Sequence, residues 1–118
     1  MSSLILALFL SILGVGAPAQ DTREAPEANP QAGQRLFDDV GCYQCHGFVG
    51  QGGAAGARLV PNPLPFAAFS RYVRAPTGQM PPYTVRILPD NELADIYAYV
   101  ESIPDPPALD SIPALNLD

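Results

Sequence analysis

The chain contains no lysine: its six basic residues are all arginine. The phosphate-gripping pattern G-K-[ST] therefore cannot occur, and no strand signal precedes the glycines at Gly47, Gly50, Gly52, Gly53 and Gly56, so this cluster does not read as a nucleotide loop. Cysteine and histidine are scarce, with two of the first and one of the second. Three such side chains fall short of the four ligands of a structural zinc site. No βαβ pattern surrounds the cysteines, which argues against a thioredoxin-type redox centre. The chain also lacks an apolar run of about 20 residues, the length a membrane-spanning helix needs; Leu4 to Val15 is shorter and is broken up by Gly14, Gly16 and Pro18. Acids are absent between Gly41 and Pro89, a segment holding Arg58, Arg71, Arg74 and Arg86, while all twelve Asp and Glu lie at 21–39 and 90–118. With a net charge of −6 there is no basic footprint for nucleic acid. No acid–base pair, nucleophile or substrate pocket stands out, so an enzyme is not expected.

What is present is concentrated. Both cysteines and the only histidine fall in Gly41-Cys42-Tyr43-Gln44-Cys45-His46-Gly47. The pattern C-x-x-C-H is the attachment signature of a c-type haem. Two thiols three residues apart on a helical turn can each add to a vinyl group on one edge of a haem, and the histidine that follows can ligate the iron through an imidazole nitrogen. A disulfide between Cys42 and Cys45 would close a tiny loop, stabilise little and leave His46 unexplained.

The 118 residues suffice for one small domain. Residues 1–19 read as a secretory signal, with a short apolar run and Ala17-Pro18-Ala19 as the small-residue cleavage pattern, although Met1-Ser2-Ser3 lacks the usual basic start. The alternative is an uncleaved membrane anchor facing the periplasm. Residues 20–29 read as a flexible lead-in, 30–103 as the folded domain and 104–118 as a proline-rich extended tail. A domain of this size buries only a marginal core, so a covalent haem should supply apolar volume and folding without it should be poor.

Helix signals follow the chain. Asn29 suits an N-cap and Pro30 the first helical position; Gly33, Leu36, Phe37 and Val40 recur at helical spacing, and Gly41 can stop the helix. Gly33 in mid-helix costs about 1 kcal/mol relative to Ala, a cost that makes sense where another helix crosses closely. The glycine-rich stretch after the motif reads as a flexible loop around the cofactor edge, and residues 58–65 as a stiff extended segment. Pro65 opens a short helix with Phe66, Phe69 and Val73 on one face. A last helix has Asp90 as its expected N-cap, Leu93, Ile96, Tyr97, Val100 and Ile103 as its stripe, and Pro104 as its stop. Between these two helices stands Met80, the only methionine besides the initiator, in a loop stiffened by Pro81 and Pro82. A thioether so placed is what a sixth iron ligand opposite His46 requires.

Over residues 30–103 the chain resembles class I (mitochondrial-like) cytochrome c in its small bacterial periplasmic monohaem form. The marks are Gly33-x-x-x-Phe37 before GCYQCHG, then Met80-Pro81, then LPDNELADIYAYVESI. The resemblance implies an all-α class I cytochrome c fold, three to four short helices wrapped around one covalent haem c, with the first and last helices crossing and Gly33 and Phe37 facing Tyr97. The family commonly carries G-P-x-L after the haem motif, its proline carbonyl accepting a bond from the ligand histidine. Here the stretch reads Gly56-Ala57-Arg58-Leu59, and the Ala57 carbonyl is the expected acceptor for His46.

The implied activity is one-electron transfer between periplasmic or membrane redox partners, with Cys42 and Cys45 as thioether anchors and His46 and Met80 as axial ligands. Arg58, Tyr72 and Tyr83 are candidate haem contacts. Leu36, Phe37, Leu59, Phe69, Tyr97 and Val100 are the expected apolar shell. In the family the haem edge meets the partner, so Arg58, Arg71, Arg74 and Arg86 form the expected docking face for an acidic one. Two alternatives stand beside the free carrier. One is a dedicated cytochrome subunit of a dehydrogenase or oxidase complex, with the tail as docking arm; the other is a haem gas sensor or peroxidase, which would need an open iron site.

Overall fold

The computed structural model describes residues 27–115. The expected signal at 1–19 and most of the lead-in lie outside this range. Among the described residues four α-helices run in chain order: α1 (Pro30–Asp39), α2 (Tyr43–His46), α3 (Phe66–Arg74) and α4 (Asp90–Ser102). No strand occurs among the described residues, and no helix there is long and apolar enough to cross a membrane. The fold is the expected all-α one.

The beginning and end of α1 follow the sequence signals. The Asn29 side chain accepts the Ala32 N–H at 3.0 Å, Pro30 takes the first turn, and Gly41 turns the chain away with φ of 83°. The N–H of Asn29 also donates to the Asp95 carboxylate at 2.7 Å, which ties the start of α1 to α4. The two helices cross at Gly33. A Cβ there would overlap the Asp95 carbonyl and lie 2.9 Å from the Ile96 nitrogen, so only glycine lets the backbones approach this closely.

Around the crossing the core is built from Phe37, Val60, Phe69, Val73, Leu88, Leu93, Ile96, Tyr97, Tyr99 and Val100. The aromatic partners differ from expectation. Phe37 meets Tyr99 edge-on at 5.5 Å, whereas Tyr97 lies against Phe66 and Phe69 of α3, each at 5.2 Å. Tyr99 sits off the predicted stripe yet is buried, because α4 is covered on more than one side: α1 and α3 both pack on it. Its hydroxyl donates to the Phe48 carbonyl at 3.2 Å, which brings the loop after α2 onto the same helix.

Three further expectations are corrected. Asp90 is the first residue of α4 and not its N-cap; Pro89 precedes the helix, and the Asp90 carboxylate is drawn to Arg74 instead. The stretch from 58 to 65 is not uniformly extended, since the Val60–Pro61 peptide is cis and Asn62 adopts φ of 62°. The tail beyond Ile103 carries two turns of 3-10 helix, Leu109–Ser111 and Pro113–Leu115, where an extended chain was expected.

Candidate functional site

The haem motif occupies the single turn of α2 and its approach. The Cys42 N–H donates to the Phe37 carbonyl at 3.0 Å, and the His46 N–H donates to the Cys42 carbonyl at 3.0 Å. This continuous hydrogen bonding from the end of α1 holds Cys42, Cys45 and His46 on one compact turn. The glycine-rich loop that follows is not a slack one. Gly52 N–H donates to the His46 carbonyl at 2.7 Å, Gly53 N–H to the Gly56 carbonyl at 3.0 Å, and Leu59 N–H to the Gly50 carbonyl at 2.8 Å. Gly56 presses on the Cys45 backbone: a Cβ there would stand 2.6 Å from the Cys45 carbonyl oxygen.

This folding back delivers Ala57 to the histidine. His46 Nδ1 lies 2.7 Å from the Ala57 carbonyl oxygen. A carbonyl can only accept, so Nδ1 carries the proton and Nε2 keeps its lone pair for a ligand. The acceptor that the family supplies from proline is thus supplied here by alanine.

Beside this turn opens a cavity of about 530 Å³, within the range of cofactor pockets. Cys42, Cys45, His46 and Met80 all line it, together with Arg58, Tyr72 and Tyr83. Every residue singled out from sequence as a cofactor contact or iron ligand therefore reaches one cavity. Its apolar walls are only partly those expected. Phe37, Leu59 and Phe69 line it, but Leu36, Tyr97 and Val100 pack in the core behind; Val73, Leu88, Leu93 and Ile96 take their places. Leu93 and Ile96 were visible as core positions, yet their helical stripe could not say which part of it meets a cofactor and which meets another helix.

The polar groups are already engaged. Tyr72 donates its hydroxyl to the Thr77 carbonyl at 3.0 Å, and Tyr83 donates its own to the Val40 carbonyl at 2.9 Å. Burial is the main cause pushing the Tyr83 phenol above its ordinary value, with the two cysteines adding to it. Burial also raises the Cys42 thiol to about 11, reinforced by Asp38 and Cys45 and opposed by its own backbone hydrogen bond.

The arginines divide. Arg58 is exposed and lines the cavity; Arg71 and Arg86 are exposed but do not. Arg74 does not belong to a free docking face. Its guanidinium is turned inward, with Nη1 donating to the Tyr83 and Leu88 carbonyls at 2.8 Å each and Nη2 to the Asp90 carboxylate at 2.6 Å. Nothing in the sequence marked it apart from the other three.

Whether a haem fits is decided by the chain's own donor set. Two thiols on one turn, an imidazole with its proton fixed on the far nitrogen, and a thioether share a cavity with mostly apolar walls. These are the anchors and iron ligands that c-type haem uses, and the residues fit it. Comparison with known proteins agrees. A family model described as cytochrome c oxidase, cbb3-type, subunit III matches residues 28–100, more than half of the chain. No curated protein and no solved structure gives a match. The chain therefore belongs to the family of cytochrome c oxidase, cbb3-type, subunit III: it is a class I c-type cytochrome domain, and its covalently bound haem c makes it an electron-transfer protein.

Proposed function

We propose that the chain is an exported one-electron carrier with a single haem c, anchored through Cys42 and Cys45 and held between His46 and Met80. The observation that carries this is the shared cavity: one imidazole and one thioether, with both cysteines, among apolar side chains. Bound there, haem supplies an iron that moves one electron between its ferrous and ferric states. The rest is the work of the chain. The Ala57 carbonyl holds the His46 ring in the tautomer that offers Nε2. Met80, as a soft neutral donor, favours the ferrous state and raises the potential. Phe37, Phe69, Leu88 and Leu93 exclude water and act in the same direction. With His46 and Met80 as its ligands, a haem held there would leave no iron site open to a substrate or a gas.

The test is spectroscopic. A reduced protein with a c-type α band and an oxidised one with the Met–iron charge-transfer band support the reading. Met80→Ala should abolish the second band while keeping the first, and should open the iron to added imidazole. A wild-type protein without the Met–iron band would return the sensor or peroxidase alternative.

The family description favours a second reading of the carrier's setting, as a cytochrome subunit of an oxidase complex. The turns at 109–111 and 113–115 would then belong to a docking arm. Co-purification with a larger partner, lost on deleting residues 104–118, supports this setting; an unchanged free monomer supports the shuttle.

A further inference from the structure

The segment between α3 and α4, residues 75–89, contains no helix, and it carries Met80. Hydrophobic burial holds it only at Leu88 and through the partly buried Met80 and Tyr83, which pack against the core. Thr77, Gly78, Gln79, Pro81, Pro82, Thr84, Val85, Arg86 and Ile87 are all exposed, and Leu88 is its only buried side chain. A loop with so few apolar contacts opens readily unless hydrogen bonds hold it. The bonds that do so flank Met80. On one side the Tyr72 hydroxyl donates to the Thr77 carbonyl at 3.0 Å. On the other, the Tyr83 hydroxyl donates to the Val40 carbonyl at 2.9 Å and its N–H to the Val73 carbonyl at 3.1 Å, and Arg74 takes the Tyr83 and Leu88 carbonyls and the Asp90 carboxylate together.

We infer that Arg74 is the positioning residue that keeps the Met80 loop closed, joining the segment after Met80 to α3 and to the first residue of α4 through three charge-assisted hydrogen bonds. This rests on the reading that Met80 ligates the iron. The geometry suits arginine in particular. One planar guanidinium reaches two backbone acceptors from a single nitrogen and a carboxylate from another, which an ammonium on a flexible stem reproduces poorly. The Arg74 side chain is only 19% exposed while Asp90 is 80% exposed. The two carbonyl bonds are thus the shielded ones, and the ion pair at the surface adds little. The site is more than an ordinary surface salt bridge for that reason.

The experiment uses the haem-loaded full chain, with imidazole as the competing iron ligand and amide hydrogen exchange at Tyr83 as a readout independent of the iron. Arg74→Met should bind imidazole roughly tenfold to hundredfold more tightly than wild type, the equivalent of one or two hydrogen bonds to a charged group. Protection of the Tyr83 amide should fall in parallel. Asp90→Asn, which leaves both carbonyls in place, should shift imidazole binding by no more than about threefold. Asp95→Asn, which touches only the tie to α1, should leave both readouts at the wild-type level. Imidazole affinity and Tyr83 protection within about twofold of wild type in Arg74→Met would overturn the inference. Should that variant fail to retain haem, Arg74→Lys carries the test, with an intermediate shift expected and a wild-type result fatal. A wild-type protein without the Met–iron band would instead sink the ligation reading, and Tyr83 exchange would still judge the clamp on its own.

Discussion

Gly33→Ala is the substitution whose outcome depends most directly on the crossing of α1 and α4. On helix propensity alone alanine should stabilise α1 by about 1 kcal/mol. The structure reverses that expectation. The new Cβ would overlap the Asp95 carbonyl and come within 2.9 Å of the Ile96 nitrogen, where ordinary contact begins near 3.4 Å. Both obstacles are backbone, so no side chain can swing aside and the helices must separate by roughly an ångström or more. A gap of that size forfeits about a quarter to a half of the dispersion contact across it. For Phe37, Ile96, Tyr99 and Val100, each contributing about 2 kcal/mol by burial, the loss is about 2–4 kcal/mol. Net of propensity, the variant should be about 1–3 kcal/mol less stable, a fall in Tm of roughly 4–24 °C for a domain of this size. The assay is thermal and urea unfolding of the haem-loaded protein, followed by helical circular dichroism. A Gly33→Ala variant as stable as wild type, or more stable, would refute the argument that the backbones touch there.

Two further expectations concern charge. Burial, and secondarily Asp38, raises the Tyr99 phenol above its ordinary 10.0, so the folded chain keeps that proton to higher pH than the unfolded one. Its contribution is intact below 10 and is lost as pH rises through the folded value. Tyr99→Phe should cost about 1 kcal/mol at neutral pH by leaving the Phe48 carbonyl without its donor. Urea unfolding across a pH series should show the gap to wild type narrowing on the alkaline side; a widening gap would contradict the sign. For docking, with Arg74 committed inside the chain, only Arg58, Arg71 and Arg86 remain to draw an acidic partner. The electron-transfer rate with that partner should fall as ionic strength rises, and Arg58→Gln should flatten the dependence; a rate that climbs with salt would remove this face from the account.

Much of the fold was legible because its signals are local. Asn29 and Pro30 start α1 and Gly41 ends it, since capping and a positive φ are properties of the residues at those positions. Pro65 opens α3 in the same way. Where the reading slipped, the competing force came from elsewhere in the chain. Asp90 has the chemistry of an N-cap, but the helix starts at Asp90 itself behind Pro89, and its carboxylate meets Arg74 from α3. Tyr99 was missed because a single helical stripe describes burial on one face, and α4 is covered on more than one.

The amino-acid sequence by itself pointed to a haem c and to the residues proposed as its anchors. C-x-x-C-H completes its geometry within one helical turn, so no distant residue is needed to assemble two thiols and an imidazole. Met80 could be proposed as the second ligand for a similar reason: apart from the initiator, no other methionine competes for the role. Only the tertiary structure decided that Leu88 and Ile96 wall the cavity, that Arg74 clasps the segment after Met80, and that Arg58 stays at the cavity. The physical reason is common to all three. Their partners are backbone carbonyls and shared apolar space, which every residue can offer, and only the approach of separate segments selects among them.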